Sequence, residues 1–237
     1  MSEAVPPRAR IRITCHTTFE STVRDRREHH GDRLDWESNA KLSMIEPLQP
    51  LPSEARRVLE ALHAPPRLLV HLALVHEVAY ELLEGMAAAW PDLPIDREAV
   101  LMGAATHDAG KIVHRVELRQ PGTKHEDDGP AILIEHGLPA NIARFARTHG
   151  QWSSEPSATL EDLIVALADL LWVGKRDQSL EDEIIKRLAE FSSVPLWSAF
   201  AAFDEIELQV LEGAGHRFAL YKKIADDEDN SRRLPVV

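Results

Sequence analysis

Cysteine is almost absent from this sequence. The single thiol, Cys15, has no partner within the chain, so an internal disulfide is excluded. Long apolar runs are also missing: the longest, Leu163 to Val173, is far shorter than the roughly 20 residues that a membrane helix needs, and it contains Asp169. The opening residues lack the apolar core of a signal peptide. We therefore expect a cytoplasmic protein without a membrane span.

Positive charge is scarce as well. The sequence has 27 Lys and Arg against 39 Asp and Glu, which gives a formal net charge of -12. Such an acidic surface repels a nucleic-acid backbone, because polymer binding usually requires a basic face. We expect neither a nucleic-acid polymer nor a membrane as a partner. A small anionic substrate is still compatible with this charge if metal ions supply positive charge locally.

The hydrophobic pattern separates an N-terminal extension, residues 1–52, from a longer helical region. Within the extension, residues 8–18 alternate polar and apolar side chains with the period of two that is typical of a short β-strand or hairpin. Several prolines mark the end of the extension. We interpret residues 1–52 as an appendage to a single main domain.

From Ser53 onward the sequence has helical periodicity and recurring helix-capping residues, among them Asp96 and Thr159. We predict an all-α domain over residues 53–228, whose last helical stretch is broken near Gly213 and Gly215. The ligand-bearing part covers about residues 53–190, and residues 229–237 are predicted to form a loose tail.

Metal-ligating side chains recur along this domain in the order His, His-Asp, His, His, Asp. The adjacent pair His107-Asp108 follows an apolar helix of small residues, and Gly110 can supply a left-handed turn that ends this helix. Neutral imidazole and carboxylate groups suit zinc, iron, manganese and similar ions, and six such groups exceed the needs of one tetrahedral centre. The pattern therefore favours two metal ions. The candidate ligands are His71, His107, Asp108, His125, His149 and Asp169.

Two of these candidates have ordinary alternatives when each is considered alone. His71 lies at or near the core face of its helix, where a histidine is more often hydrogen-bonded to a carbonyl group. Asp169 lies in the middle of an apolar helix, where an unpaired carboxylate costs several kcal/mol. A metal ion, an arginine or a helix-terminal amide must compensate it. Together with the histidines, the pattern favours the metal.

The order of these residues resembles that of the HD-domain metal-dependent phosphohydrolases. In the first-ligand helix of that family the histidine is followed four residues later by valine and eight later by alanine, here Val75 and Ala79 after His71. Asp169 follows a small residue, as in the last-ligand helix of the family. The resemblance covers about residues 53–190 and implies an all-α HD-domain helical bundle.

The resemblance also implies which residues hold metal. His125 and His149 resemble the extra ligands of family members that bind two ions, and Asp108 would then be the bridge. The implied cofactor is a divalent transition metal, with one or two ions of Fe, Mn, Zn or Co per chain, and Mg is also compatible. The ligands of the first ion would be His71, His107, Asp108 and Asp169.

The activity that the resemblance implies is metal-activated hydrolysis of a small phosphorylated substrate, such as a nucleotide or dinucleoside polyphosphate. Asp108 and Lys111 are the predicted catalytic residues, and Lys111, Arg115 and Lys124 are predicted to bind the substrate. Phosphomonoesterase, phosphodiesterase and pyrophosphohydrolase reactions all stay open. The Gly-Tyr-Pro signature of cyclic-di-GMP phosphodiesterases is lacking, which ranks that subfamily low.

Two other classes fit the same ligands. Two irons on these six residues would give a di-iron oxygenase that cleaves a small organic substrate. Alternatively, the pocket would sense a nucleotide and residues 1–52 would contact a partner, although the complete ligand set argues against a decayed, purely regulatory site. We expect a small phosphorylated molecule as the ligand, and a homodimer is compatible with the sequence.

Overall fold

The computed structural model describes residues 48–233. The strand or hairpin predicted within residues 8–18 lies outside this range. The described residues form α-helices and short 3-10 helices, and no strand occurs among them. The predicted all-α fold is therefore confirmed. None of the helices in this range is both long and apolar enough to cross a membrane.

The α-helices follow one another with short connections, and 3-10 helices occupy Ala109–Ile112, Arg115–Leu118 and Trp152–Ser154. In chain order the α-helices are α1 (Ser53–Ala61), α2 (Pro66–Ala89), α3 (Arg97–Thr106), α4 (Lys124–Glu135), α5 (Ala140–Ala143), α6 (Phe145–Gln151), α7 (Leu160–Leu171), α8 (Gln178–Ser192), α9 (Leu196–Glu212) and α10 (Ala214–Arg233).

Helix α2 lies at the centre of the packing. It contacts α3, α7, α9 and α10, and its Leu72, Val75, Val78 and Leu82 are fully buried. Helix α7 is buried along most of its length because its sequence, LEDLIVALADLL, is apolar on nearly every face. Burial of each such aliphatic side chain contributes about 1.5–3 kcal/mol. The two helices that carry the first and last candidate ligands are thus held by the main core.

Side chains cap the starts of helices α3 and α7. The Asp96 side chain accepts a hydrogen bond from the Ala99 amide at 3.0 Å, and Thr159 and Asp162 form a reciprocal capping box at α7. Both predicted caps are therefore confirmed. Buried Asp162 also accepts hydrogen bonds from the Thr148 hydroxyl at 2.7 Å and from Arg144 Nε at 3.0 Å, which ties α7 to α6.

A partly buried charge cluster joins α8 and α9 around Arg176. The guanidinium donates to Glu181 at 2.7 Å, to Asp204 at 3.0 Å and to Glu207 at 2.9 Å. Burial raises the pKa of Glu207 to about 8, and the charge of Glu181 adds to this effect while Arg176 opposes it. One cation thus faces three carboxyl groups in this cluster.

The ends of the helical domain differ from the predicted boundaries. Leu51 and the partly buried Leu48 pack against the core, so the packed region begins before Ser53. The predicted break at Gly213 is confirmed, because α9 ends there and α10 begins at the next residue. Helix α10 continues to Arg233, so the expected start of a loose tail at residue 229 falls inside this helix.

Candidate metal centre

The doublet His107-Asp108 lies where the backbone leaves helix α3. His107 is the C-cap, and Asp108 has φ -95° and ψ 11° before the 3-10 helix begins. This departure lets two adjacent side chains point into one centre, whereas they would diverge by about 100° on a regular helix. Gly110 is not in the left-handed region, contrary to the prediction. A Cβ there would lie 2.2 Å from the carbonyl oxygen of His125, so the glycine instead permits α4 to approach.

The carboxylate of Asp108 is buried in the middle of the cluster. Its Oδ2 lies 3.0 Å from His71 Nε2 and 2.5 Å from Lys111 Nζ. Its Oδ1 lies 3.1 Å from His125 Nε2 and 3.6 Å from His149 Nε2. The two oxygens of one carboxylate therefore face different sets of ligands.

Asp169 meets the doublet from helix α7. Its Oδ1 lies 3.2 Å from His71 Nε2 and 3.4 Å from His107 Nε2, and these two nitrogen atoms are 3.3 Å apart. In the described part of the chain, histidines rather than an arginine neighbour this carboxylate. The structure thus brings all six predicted metal ligands into one cluster.

Within residues 48–233, three groups of side chains have ligand atoms close enough together to hold a metal ion. In each group, the ligand atoms lie within 4.8 Å of one another. The second group shares a histidine with each of the others, so the three form one continuous cluster. The groups are His71, His107 and Asp169; His107, Asp108 and His149; and His125, Glu126 and His149.

Hydrogen bonds orient three of the four histidines with Nε2 towards Asp108. In each, Nδ1 lies next to an oxygen acceptor and therefore carries the proton, which leaves the Nε2 lone pair available as a ligand. The pairs are His107 Nδ1 with Ala104 O at 2.9 Å, His149 Nδ1 with Phe145 O at 3.1 Å, and His125 Nδ1 with Glu117 Oε2 at 2.7 Å.

Two buried atoms in this cluster have no hydrogen-bond partner among the described residues: Asp108 Oδ1 and His125 Nε2. They face each other at 3.1 Å. When His125 donates through Nδ1, both facing atoms are acceptors, and such a pair is stable only with a cation or a proton between or beside them. The imidazole and carboxylate groups present suit a divalent transition metal, so the residues fit the ion that the sequence predicts.

The charges in the cluster favour ionised carboxylates. Burial on its own raises the pKa of Asp108 and Asp169, but the neighbouring histidines, with Lys111 beside Asp108, together outweigh it and hold both pKa values well below the usual range. Burial lowers the pKa of His71, yet its contacts with the two carboxylates outweigh this and raise it to about 9. The buried carboxylate of Asp108 and the partly buried carboxylate of Asp169 therefore give the centre a strong attraction for positive charge.

A cavity of about 150 Å³ opens beside the cluster. Two cationic side chains, Lys111 and Arg67, line it together with the aromatic rings of Trp172 and Tyr221. Arg67 is nine-tenths buried, and its Nε has no hydrogen-bond partner among the described residues. The remaining lining residues are Leu68, His71, Asp108, Glu117 and Leu118.

Of the three predicted substrate-binding residues, only Lys111 lines this cavity. Arg115 uses its Nε to donate to the Ile112 carbonyl at 3.2 Å. Lys124 has an exposed side chain at the start of α4, and its backbone amide donates to Glu117 at 3.2 Å. The structure therefore does not bring Arg115 and Lys124 to the cavity wall.

Four residues next to the centre were not singled out from the sequence. The spacing of Arg67 could have indicated its position, because it precedes His71 by four residues and so lies on the same helix face. Glu126 directly follows a predicted ligand. Glu117 lies in the short 3-10 helix Arg115–Leu118 and Tyr221 lies far along the chain, and neither has a spacing that links it to the ligands.

Comparison with known proteins agrees with this geometry. The family model described as HD domain matches residues 68–188, just over half of the chain, and this region includes all six candidate ligands. No curated protein and no solved structure matches the chain. The chain belongs to the HD-domain superfamily of metal-dependent phosphohydrolases.

Proposed function

We propose that this protein hydrolyses a phosphate ester or anhydride bond of a small phosphorylated molecule, using divalent metal ions. The observation that best supports the proposal is the position of Asp108. One of its oxygens faces His71, and the other faces His125 and His149. A buried carboxylate with imidazoles on both sides is suited to bridge two ions.

In this proposal His71, His107, Asp108 and Asp169 would hold one ion. His125 and His149 would hold the second, with Asp108 as a ligand of both. Glu126 is a further candidate for the second ion, because its carboxylate lies within ligand range of both histidines. Bound divalent ions supply positive charge beside phosphoryl oxygens and lower the pKa of water towards neutrality.

Lys111 binds a phosphoryl oxygen in this mechanism. Its ammonium group lies 2.5 Å from Asp108 Oδ2 and also lines the cavity. Burial lowers the pKa of Lys111, but Asp108 outweighs this and raises it above its ordinary value, so the side chain stays cationic. A fixed point charge at this position offsets the negative charge of the phosphoryl group during bond cleavage.

Glu117 positions one of the ligands. It accepts a hydrogen bond from His125 Nδ1 at 2.7 Å and another from the His125 backbone amide at 3.1 Å. The first bond fixes the tautomer and the ring orientation, and it increases the basicity of the ligating nitrogen. Glu117 thus acts through His125 rather than on the substrate.

Elemental analysis of the purified protein, followed by a phosphate-release screen, tests the proposal. The screen uses nucleotides, dinucleoside polyphosphates and short-chain phosphate esters with manganese, iron, cobalt or magnesium, under anaerobic conditions. Phosphate release that Asp108→Asn abolishes, with unchanged circular dichroism, supports hydrolysis. Oxygen consumption by a mixed-valent di-iron protein that releases no phosphate would establish the oxygenase alternative instead.

The number of ions is tested separately by two substitutions. Asp108→Ala removes the shared ligand and should lower the metal content to near zero. His149→Ala removes a ligand of the second ion alone and should leave one ion per protomer. Equal losses in the two variants, measured by inductively coupled plasma mass spectrometry, would show that the centre holds a single metal.

A further inference from the structure

Helix α10 closes one side of the cavity, and it lies beyond the region that matches the HD-domain family model. Its Tyr221 ring packs edge-on against Trp172, with centroids 5.1 Å apart. Trp172 packs in the same way against the ring of His71 at 5.2 Å. Tyr221 is therefore the outer member of a row of rings that begins at a candidate metal ligand.

The end of α10 is anchored by two arginines from other parts of the fold. Arg67 Nη2 donates to Asp229 at 2.6 Å, and the Arg67 amide at the start of α2 donates to Glu228 at 2.8 Å. Arg119 pairs with both of these carboxylates. Charge-assisted hydrogen bonds of this kind are stronger than neutral ones, and here they hold α10 against α2.

The cavity is small and partly open to solvent. Its volume of about 150 Å³ is close to that of an apolar cavity that takes one benzene ring. Pockets that enclose drug-sized ligands begin at about 300 Å³. A nucleoside monophosphate carries a fused ring pair, a sugar and a phosphate, so this cavity cannot enclose all of it. A phosphoryl group with a short organic part is of the right size.

Resting on the proposed phosphohydrolase function, we propose that Tyr221 on α10 is a specificity-determining residue that selects compact phosphorylated substrates and excludes nucleotides. The substrate class is phosphate esters of short-chain alcohols or hydroxy acids. Lys111 and Arg67 place two cationic groups in the wall beside the carboxylates of Asp108 and Glu117, and the unpartnered Arg67 Nε offers a donor to a polar group of such a ligand. This proposal is narrower than the substrate class predicted from the sequence, because it excludes nucleotides.

Calorimetric titration of the metal-loaded protein with inorganic phosphate and with adenosine monophosphate tests the selection. The wild type should bind adenosine monophosphate at least about tenfold more weakly than phosphate, a difference of about 1.4 kcal/mol. Tyr221→Ala should tighten adenosine monophosphate binding by about tenfold or more and leave phosphate binding within about threefold. Tyr221→Phe, which keeps the ring, should retain the wild-type preference.

The proposal is overturned if the wild type binds the nucleotide as tightly as phosphate, if it binds no phosphate, or if Tyr221→Ala changes neither affinity. Arg119→Met gives an independent variant, because this arginine holds α10 but does not line the cavity. It should also increase nucleotide affinity. If Tyr221→Ala does not fold, the result for Arg119→Met decides the question.

Measurements of phosphate release distinguish failure of the proposed size selection from failure of the proposed hydrolysis. Phosphate release is measured with glycerol phosphate and with adenosine monophosphate as substrates. Equal turnover of the two would refute size selection and support hydrolysis. Binding discrimination without phosphate release from any compact ester would refute hydrolysis and support size selection.

Discussion

Gly110 is the position where the smallest substitution should most disturb the candidate metal centre. In Gly110→Ala the new Cβ would lie 2.2 Å from the backbone oxygen of His125, whereas real Cβ contacts essentially never fall below 3.0 Å. The oxygen atom that it meets is backbone and cannot rotate away, so the start of α4 must retreat by about 1 Å. Metal ligands tolerate errors of only about 0.2 Å, so His125 would leave its place beside Asp108.

We expect Gly110→Ala to lower the free energy of unfolding by about 1–3 kcal/mol, the usual cost of overpacking, and to reduce metal content. Urea denaturation and mass-spectrometric metal analysis measure the two effects. Gly215→Ala is the matched control, because its Cβ would meet nothing within 4 Å. In helix α10 this change should leave metal content intact and stabilise the protein by about 0.4–1 kcal/mol. Equal stability and metal content in the two variants would refute the close-approach argument.

Three further substitutions test other parts of the structure. Glu117→Gln should weaken metal binding by about 10–100-fold in a competition titration, because His125 loses its charged partner; an unchanged affinity would exclude this positioning role. Glu207→Gln should flatten the dependence of stability on pH: the raised pKa of about 8 means that the folded protein keeps a proton that the unfolded chain releases near 4.5. The free energy of unfolding of the wild type should therefore fall as pH rises from 4.5 to 8, by at most about 1.4 kcal/mol per pH unit. Urea denaturation at several pH values measures this dependence, and the same slope against pH in the wild type and in Glu207→Gln would contradict the prediction. Asp162→Ala should lower the free energy of unfolding by about 3 kcal/mol, because Arg144 and Thr148 lose a buried carboxylate partner. A decrease of less than about 1 kcal/mol would show that this network is dispensable.

The helical architecture could be predicted because it depends on local signals. Asp96 and Thr159 are short polar side chains directly before apolar helical segments, and both cap helices in the structure. The break near Gly213 was likewise visible in the sequence. The end of α10 could not be predicted, because a stretch of acidic and basic residues resembles a solvated tail until its tertiary partners are known. Asp229 is held by Arg67 and Arg119, which lie more than a hundred residues earlier.

The ligands could be predicted from residue type and order, but the contacts around them could not. A carboxylate in the middle of the apolar helix α7 requires compensation, so the sequence alone indicates a partner for Asp169. The predicted role of Gly110 is wrong, since its close contact is with the backbone of His125, which comes only after the connection between α3 and α4. Glu117 lies in a 3-10 helix of that connection, which is too short for periodicity to indicate which side chain faces the site.

Helix α10 also explains why membership of the HD-domain superfamily leaves the substrate open. All six candidate ligands lie within the matched residues 68–188, so the chemistry of the centre belongs to the shared region. Tyr221, Glu228 and Asp229 lie beyond it and form or anchor one wall of the cavity. A change in this wall replaces none of the six candidate ligands, and it is expected to alter the space next to Lys111. Substrate choice in this protein is therefore expected to depend on α10, and the metal chemistry on the helices that α10 covers.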